Sequence, residues 1–286
     1  MRSFVRYAAI ALIECIVGAL GLSLYVYVST ERVLDRRYPV VRAPMLPVAG
    51  SDAVERGKKL ADRTGCTDCH RPDLRGGVFV DEGWLHGRYY ASNLTTKTAT
   101  YSNEELSRIV RLGVRPDGRG VVAMFSFGFT RLTDSEMAEI IAFLRSMPTG
   151  GSEQPEHFIG PLDRWELWIG RGFRPALSYV DDARRKEPVD LGPQHSGARH
   201  LSSIVCSECH GADLKGDGWG TGAPDLAVVG SYGLPELTRL LRTGIGADGK
   251  EHELMSAVAK DRLHHLSDEE IAGLHAYFVA RAKLRH

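Results

Sequence analysis

The chain lacks an excess of charge of either sign. Among its 286 residues Lys+Arg is 36 and Asp+Glu is 36, so the formal net charge is zero. A nucleic-acid binder normally carries a basic excess or stripe, and that class is set aside. Cysteine is also sparse. Of the five, four fall in two tight pairs, Cys66/Cys69 and Cys206/Cys209. The fifth, Cys15, lies in an apolar run, so no pair is left over for a disulfide framework. Strand-like alternation is scarce as well, which points to a mainly helical chain. Hydrophobic content of 43% and charged content of 25% exclude a disordered chain. The length allows about two domains.

One long apolar run is present. Ala8 to Val28 is 21 residues with a single charge, Glu14. At about 1.5 Å per residue it spans roughly 31 Å, close to the hydrocarbon thickness of a bilayer. Arg2 and Arg6 precede it, a start that a cleaved signal peptide shares. The run is longer than a typical signal core, and its end, Leu24-Tyr25-Val26-Tyr27-Val28, lacks a small-x-small cleavage site. Tyr25 and Tyr27 suit a membrane interface instead. The expectation is an uncleaved anchor. Arg32, Arg36, Arg37 and Arg42 on the far side leave its orientation undecided by charge. An ionised Glu14 inside a bilayer costs about 3 kcal/mol or more, so it is expected to be neutral or to face a partner helix. Cys15 is expected to be a small apolar filler.

The rest of the chain reads as one unit repeated. Cys66-Thr67-Asp68-Cys69-His70 matches Cys206-Ser207-Glu208-Cys209-His210, and Asp73-Leu74 matches Asp213-Leu214, at an offset of 140. Arg111 to Gly118 matches Arg242 to Gly249, and Met124 matches Met255, at an offset of 131. Leu132 to Met137 matches Leu266 to Ile271 at 134. Matched order with small drift means duplication with loop indels. Capping signals mark the helices: Asp52-x-x-Glu55, Ser102-x-x-Glu105, Thr133-x-x-Glu136, Ser267-x-x-Glu270, and Pro235 at a helix start. The closing helices carry apolar stripes at Met137, Ile140, Ile141 and Leu144, and at Ile271, Leu274, Tyr277 and Phe278. The linking segment holds a short helix expected over 162–169 and a charged stretch, Asp181 to Glu187, expected to be merely solvated.

Cys-x-x-Cys-His is the attachment signature of c-type haem. Two thiols one helical turn apart can each add to a haem vinyl group, and the adjacent histidine presents a ring nitrogen to iron. With this composition one chance match is expected on the order of 0.003 times per chain. A zinc ribbon needs its cysteine pairs roughly 15–20 residues apart, whereas 136 residues separate Cys69 from Cys206. A thioredoxin-like site needs strand–helix alternation, which is missing. The expectation is two covalent haems at Cys66, Cys69, Cys206 and Cys209, with His70 and His210 as axial ligands.

The sixth ligand separates carrier from catalyst. A methionine thioether is soft, raises the potential and leaves no open iron site. Met124 and Met255 occupy equivalent places, each expected in a loop after an Asp-Gly turn and before a closing helix. Met45, Met137 and Met147 have no partner in the repeat and read as core or unpaired. His252, His264 and His265 lie near Met255 and could compete for iron. Trp84, Tyr89, Tyr90 and Trp219 fall between motif and methionine, where haem lining and core packing are both open. Asn93 and Asp225 are expected in turns near the haem edge. Each small unit is expected to need its porphyrin to complete a core.

Together these residues resemble class I cytochrome c domains over about 50–148 and 196–283. Ala91-Ser92-Asn93-Leu94 followed by Tyr101-Ser102-Asn103-Glu104-Glu105 is similar to the cytochrome c subunits of membrane-bound alcohol and gluconate dehydrogenases. That group commonly has three motifs and a proline beside the axial methionine. Here there are two motifs, and Phe125 and Ser256 follow the methionines. The resemblance implies a mainly α fold with two tandem domains: an anchor and linker over 1–43, domain 1 over 44–148, a connector over 149–195 and domain 2 over 196–286. It also implies attachment outside the cytoplasmic membrane, so the N-terminus lies inside and both haem units in the periplasm. The expected function is single-electron relay. Membrane redox subunits or a dehydrogenase would donate, an oxidase, reaction centre or soluble cytochrome would accept, and residues 8–28 would meet lipid. The alternatives are a peroxidase-like dihaem enzyme with one open iron and a docking scaffold in a respiratory or photosynthetic complex.

Overall fold

The computed structural model describes residues 2–42, 44–47, 50–216 and 221–285, and the chain is 60% helical. Helix α1, Arg2–Leu34, is 33 residues long. Nearly all of its apolar side chains point outward, and it is the one helix among the described residues long and apolar enough to cross a membrane. Glu14 and Cys15 both sit on its outer surface, so Cys15 fills no core.

The first unit runs α2 (Ala53–Arg63), α3 (Cys66–His70), β1 (Gly77–Asp81), α4 (Gly83–His86), β2 (Gly87–Ala91), α5 (Leu94–Thr100), α6 (Asn103–Leu112), α7 (Ser126–Phe129) and α8 (Asp134–Ser146). The connector supplies β3 (Phe158–Ile159), α9 (Pro161–Trp168) and α10 (Leu177–Arg185). The second stretch runs α11 (Ser196–Val205), α12 (Ser207–His210), α13 (Leu234–Thr243), α14 (Glu253–Asp261) and α15 (Asp268–Ala282), with short 3₁₀ turns between them.

Local chemistry explains most boundaries. Ser102 and Glu105 form a reciprocal capping box on α6, as do Thr133 and Glu136 on α8 and Ser267 and Glu270 on α15. Gly113 and Gly244 close α6 and α13 in the left-handed region, where glycine carries no Cβ penalty. Asp52 does not cap α2. Its carboxylate takes the Ser51 hydroxyl and lies near Arg56, leaving the helix without a side-chain cap.

Two further features differ from the sequence reading. A hairpin, β1 with β2, pairs Gly77 with Ala91 and contains a bulge between Val78 and Val80. The connector's β3 adds to it antiparallel, Gly87 opposite Ile159. The strands are short and the bulge breaks the period of two, so the pattern was invisible. The stretch 181–187 is also more than a solvated run. Its first five residues end α10, which buries Val180 and Ala183 against Phe127 of α7 and Ala212 beside α12, while Arg184 and Arg185 stay exposed.

The stripes on the closing helices are buried as their spacing implies. Met137, Ile140, Ile141 and Leu144 pack with Leu74 and Leu106, and Ile271, Leu274, Tyr277 and Phe278 with Leu214 and Leu241.

Candidate haem sites

Each motif sits at the end of a helix that feeds a single turn. In the first, α2 stops at Thr64, Gly65 turns with φ +76°, and α3 carries Cys66, Cys69 and His70. In the second, α11 runs into Cys206, and α12 carries Cys209 and His210. One turn therefore separates the thiols of each pair.

The same backbone wiring follows both histidines. Gly76 N–H bonds the His70 carbonyl at 2.9 Å, and Gly216 N–H the His210 carbonyl at 2.8 Å. Leu74 and Leu214 both adopt positive φ, and their carbonyls accept from Leu94 and Leu226. Asn93 and Asp225 then cap the next helical segments through Thr95 and Ala227.

That wiring orients the imidazoles. His70 Nδ1 lies 2.8 Å from the Ser92 carbonyl, and His210 Nδ1 lies 2.7 Å from the Pro224 carbonyl. A carbonyl only accepts, so each Nδ1 donates its proton and each Nε2 is left bare for a metal. Burial also lowers the pKa of both rings, keeping them neutral. Sequence reasoning placed Asn93 and Asp225 near the haem edge but missed that the residue before each is the acceptor. The alignment of Ser92-Asn93-Leu94 with Pro224-Asp225-Leu226 held that signal.

A cavity of about 730 Å³ gathers Cys66, Cys69, His70 and Met124 on its walls with Tyr90, Leu106 and Phe129. That volume is in the ordinary range for a cofactor site, roughly 300–1,000 Å³. Two thiols, a neutral imidazole with a free Nε2, a thioether and an apolar lining fit a covalently held haem. Met124 lies in a loop, next to Ala123 at φ +60°. Met255 departs from the expected loop: it stands in the first turn of α14, because Glu253 already starts that helix. It packs with Cys206 against the second core.

Other candidates find other work. Tyr89 is buried and its hydroxyl donates to Asp163 at 2.5 Å, whereas Trp84 is 72% exposed and lines nothing. Trp219 lies outside the described residues. Met137 is core, Met147 ends α8 and Met45 is exposed. His252 pairs with Asp248, and the His264 and His265 rings lie against each other 3.8 Å apart.

The thiols are shifted away from the range of a redox-exchange site. Burial pushes Cys69 and Cys206 up to about 12 and Cys209 up to about 11, and raises Cys66. A disulfide-exchange site needs the opposite shift. Zinc fits no better. Among the described residues the one set of three or more ligand atoms within 4.8 Å of one another is Glu82, His86 and Asp163, with no cysteine in it.

The two motifs meet at one arginine. Arg262 Nε bonds Asp68 Oδ2 at 2.5 Å, and its Nη1 bonds Glu208 Oε2 at 2.8 Å. Asp68 lies inside the first pentapeptide and Glu208 inside the second. The guanidinium is largely buried, also lines the first cavity and packs on Gly65, where any Cβ would strike it. Arg63 to Glu270 at 2.7 Å and His200 to Glu136 at 2.8 Å add further links between the units.

The site therefore defines a haem-attaching class, and comparison agrees. Residues 54–148 match the cytochrome c family, one associated with haem, iron and electron transport. The chain is similar to the gluconate 2-dehydrogenase cytochrome c subunit of Pantoea cypripedii, 25% identical over 264 residues, covering 80% of this chain and 59% of that protein. It is also similar to the fructose dehydrogenase cytochrome subunit of Gluconobacter japonicus, 25% identical over 264 residues, covering 79% of this chain and 52% of that protein. The chain thus spans less than two thirds of either relative's length.

Proposed function

We propose that this chain is a membrane-anchored dihaem cytochrome c, two tandem domains over 44–148 and 196–286, that relays single electrons. Cys66 and Cys69 would hold one haem and Cys206 and Cys209 the other. His70 with Met124, and His210 with Met255, would close the two coordination spheres. The observation that carries this reading is the twice-repeated imidazole set by a backbone carbonyl, once within a cavity that also holds both thiols and Met124. Bound there, haem supplies an iron that takes up and gives back one electron. Ser92 and Pro224 would fix the imidazole tautomers, the Met124 and Met255 thioethers would offer soft ligands, and Leu106, Phe129 and Leu132 would give the first cavity an apolar lining.

The relatives' names make a dehydrogenase the favoured donor. Membrane redox subunits are the other donor class, and an oxidase, reaction centre or soluble cytochrome would accept. Helix α1 would fix the chain in the cytoplasmic membrane with both haem units on the periplasmic side.

Native material should carry the mass of two haems, and its ferric spectrum should show the methionine-to-iron charge-transfer band for both. Replacing Cys66 and Cys69 together with Ala should remove one haem and about half the haem absorbance while the second site keeps its band. Native protein without added haem mass overturns the reading. A high-spin ferric haem points instead to an open iron and a peroxidase-like enzyme.

A further inference from the structure

The connector carries a surface that electron relay does not use. All three described tryptophans are exposed on two helices that touch each other: Trp84 on α4, and Trp165 and Trp168 on α9, the last two at 41% and 38%. Leu85 of α4, Phe158 of β3 and Ile169 at the end of α9 are exposed too. Two of the three charged residues of α9, Asp163 and Arg164, turn inward, and the third, Glu166, is half-buried. Asp163 takes His86 at 2.9 Å and Tyr89 at 2.5 Å. Arg164 pairs with Glu31 at 2.6 Å and lies over the Tyr27 ring, 4.2 Å from its centre.

Those contacts set the height of the surface along α1. Arg164 meets Tyr27, Thr30 and Glu31, while Trp168 meets Tyr25 edge-on at 6.2 Å. Helix α9 thus runs toward the apolar run, and its C-terminal end reaches Tyr25. Tyr25 is three residues, about 4.5 Å, inside the last apolar position, Val28. An amphipathic helix rich in exposed tryptophan at the level where a membrane helix leaves the hydrocarbon has the chemistry of the lipid–water interface.

We propose that α9, with Trp84 and Leu85 of α4, lies in the membrane interface as a collar around the exit of α1. The proposal rests on the reading of α1 as a membrane anchor. The occupant is lipid, because the surface is continuous with that span through the Tyr25–Trp168 and Arg164–Tyr27 contacts. The collar would stop the head from swinging on a single helix. It would also hold the first cavity close to the bilayer, since Leu34 and Asp35 line that cavity about 10 Å along the axis beyond Val28.

The test uses the full haem-loaded chain in vesicles of phosphatidylethanolamine and phosphatidylglycerol. A photoactivated carbene reagent that partitions into the bilayer is applied, and labelled residues are located by mass spectrometry. Label on α1 together with Trp84, Trp165, Trp168 and Ile169 is expected. Label on α1 alone overturns the collar and leaves the anchor standing, the result given by a surface that awaits a protein subunit. An unlabelled α1 removes the anchor reading and the collar with it. As a second measurement, a Trp165→Ser variant removes an exposed ring and leaves the Tyr25–Trp168 contact in place. In oriented bilayers its haem linear dichroism should fall severalfold with the α1 label unchanged; undiminished dichroism also overturns the collar.

Discussion

The two halves share their wiring and differ in their cover. From His70 to the carbonyl that holds its Nδ1 is 22 residues, and from His210 to its carbonyl is 14. The difference is the β1–β2 hairpin, which closes one side of the first cavity with Tyr90 and Ala91 and recruits the connector's β3. The first cavity also borrows Leu34 from α1, His157 from the connector and Arg262 from the second half. The polar contacts that set the imidazole are thus shared by the two halves. A few backbone hydrogen bonds keep the two histidines alike while their neighbours differ.

The sharpest way to break that comparison is at matched glycines in the helices that lead into the motifs. Gly57 and Gly197 each stand nine residues before the first motif cysteine. A Cβ on Gly57 would lie 1.9 Å from the Glu139 carbonyl oxygen of α8, whereas one on Gly197 meets nothing within 4 Å. The α2–α8 crossing is therefore a backbone contact with no room for a methyl. Gly57→Ala is expected to cost about 3 kcal/mol or more, because two packed helices must separate. Gly197→Ala is expected to be neutral or to stabilise by up to about 1 kcal/mol through helix propensity. Chemical denaturation of the haem-loaded variants decides it, and equal effects at both positions would remove the asymmetry.

Arg262 probes the contact between the halves. It is one positive charge shared by Asp68 and Glu208, so Arg262→Gln leaves two carboxylates beside the two motifs without a cation. Losing a largely buried partner of this kind is expected to destabilise by about 2 kcal/mol, discounted because both carboxylates reach solvent. Added net negative charge favours ferric iron, so both reduction potentials should fall together. Potentiometric titration reads this directly, and a shift at one haem alone would show that the arginine serves a single site.

How much of this was legible in the sequence depends on range. The pentapeptides, the Ser102, Thr133 and Ser267 capping boxes and the stripe at Met137, Ile140, Ile141 and Leu144 are local signals of spacing, and the structure places these elements accordingly. The hairpin was hidden by its bulge. The helical start at Glu253 was hidden because Met255 had been aligned with a residue that does lie in a loop. Arg262 could not be found at all: 194 residues separate it from Asp68, and nothing in its own segment marks it as a bridge. Charge pairs between folded units follow from docking, which no local period encodes.

His200 and Glu136 sharpen the same contact by pH, with a smaller effect. Glu136 Oε2 accepts from the Thr133 backbone N–H in the α8 capping box, while both its oxygens face His200 of α11. The bond to Glu136 raises the His200 pKa above 6.5, and the imidazolium helps hold Glu136 below 4.5 against its burial. Arg131, Arg199, Glu187 and Asp190 line the same hollow. A histidine raised on folding gives stability that is complete below its unfolded pKa and is lost as pH rises through the folded one. A carboxylate lowered on folding gives stability that is complete above its unfolded pKa and is lost as pH falls through the folded one. The contact should therefore be strongest between about pH 4.5 and 6.5 and fade as pH rises through the raised His200 pKa. His200 is part-exposed, so screening keeps the change to under about 1 kcal/mol. Hydrogen exchange across α8 and α11 should rise from pH 6 to 8 beyond its intrinsic pH dependence in the native chain, and His200→Gln should flatten that excess. A His200→Gln profile that keeps the native slope would assign the dependence to another group.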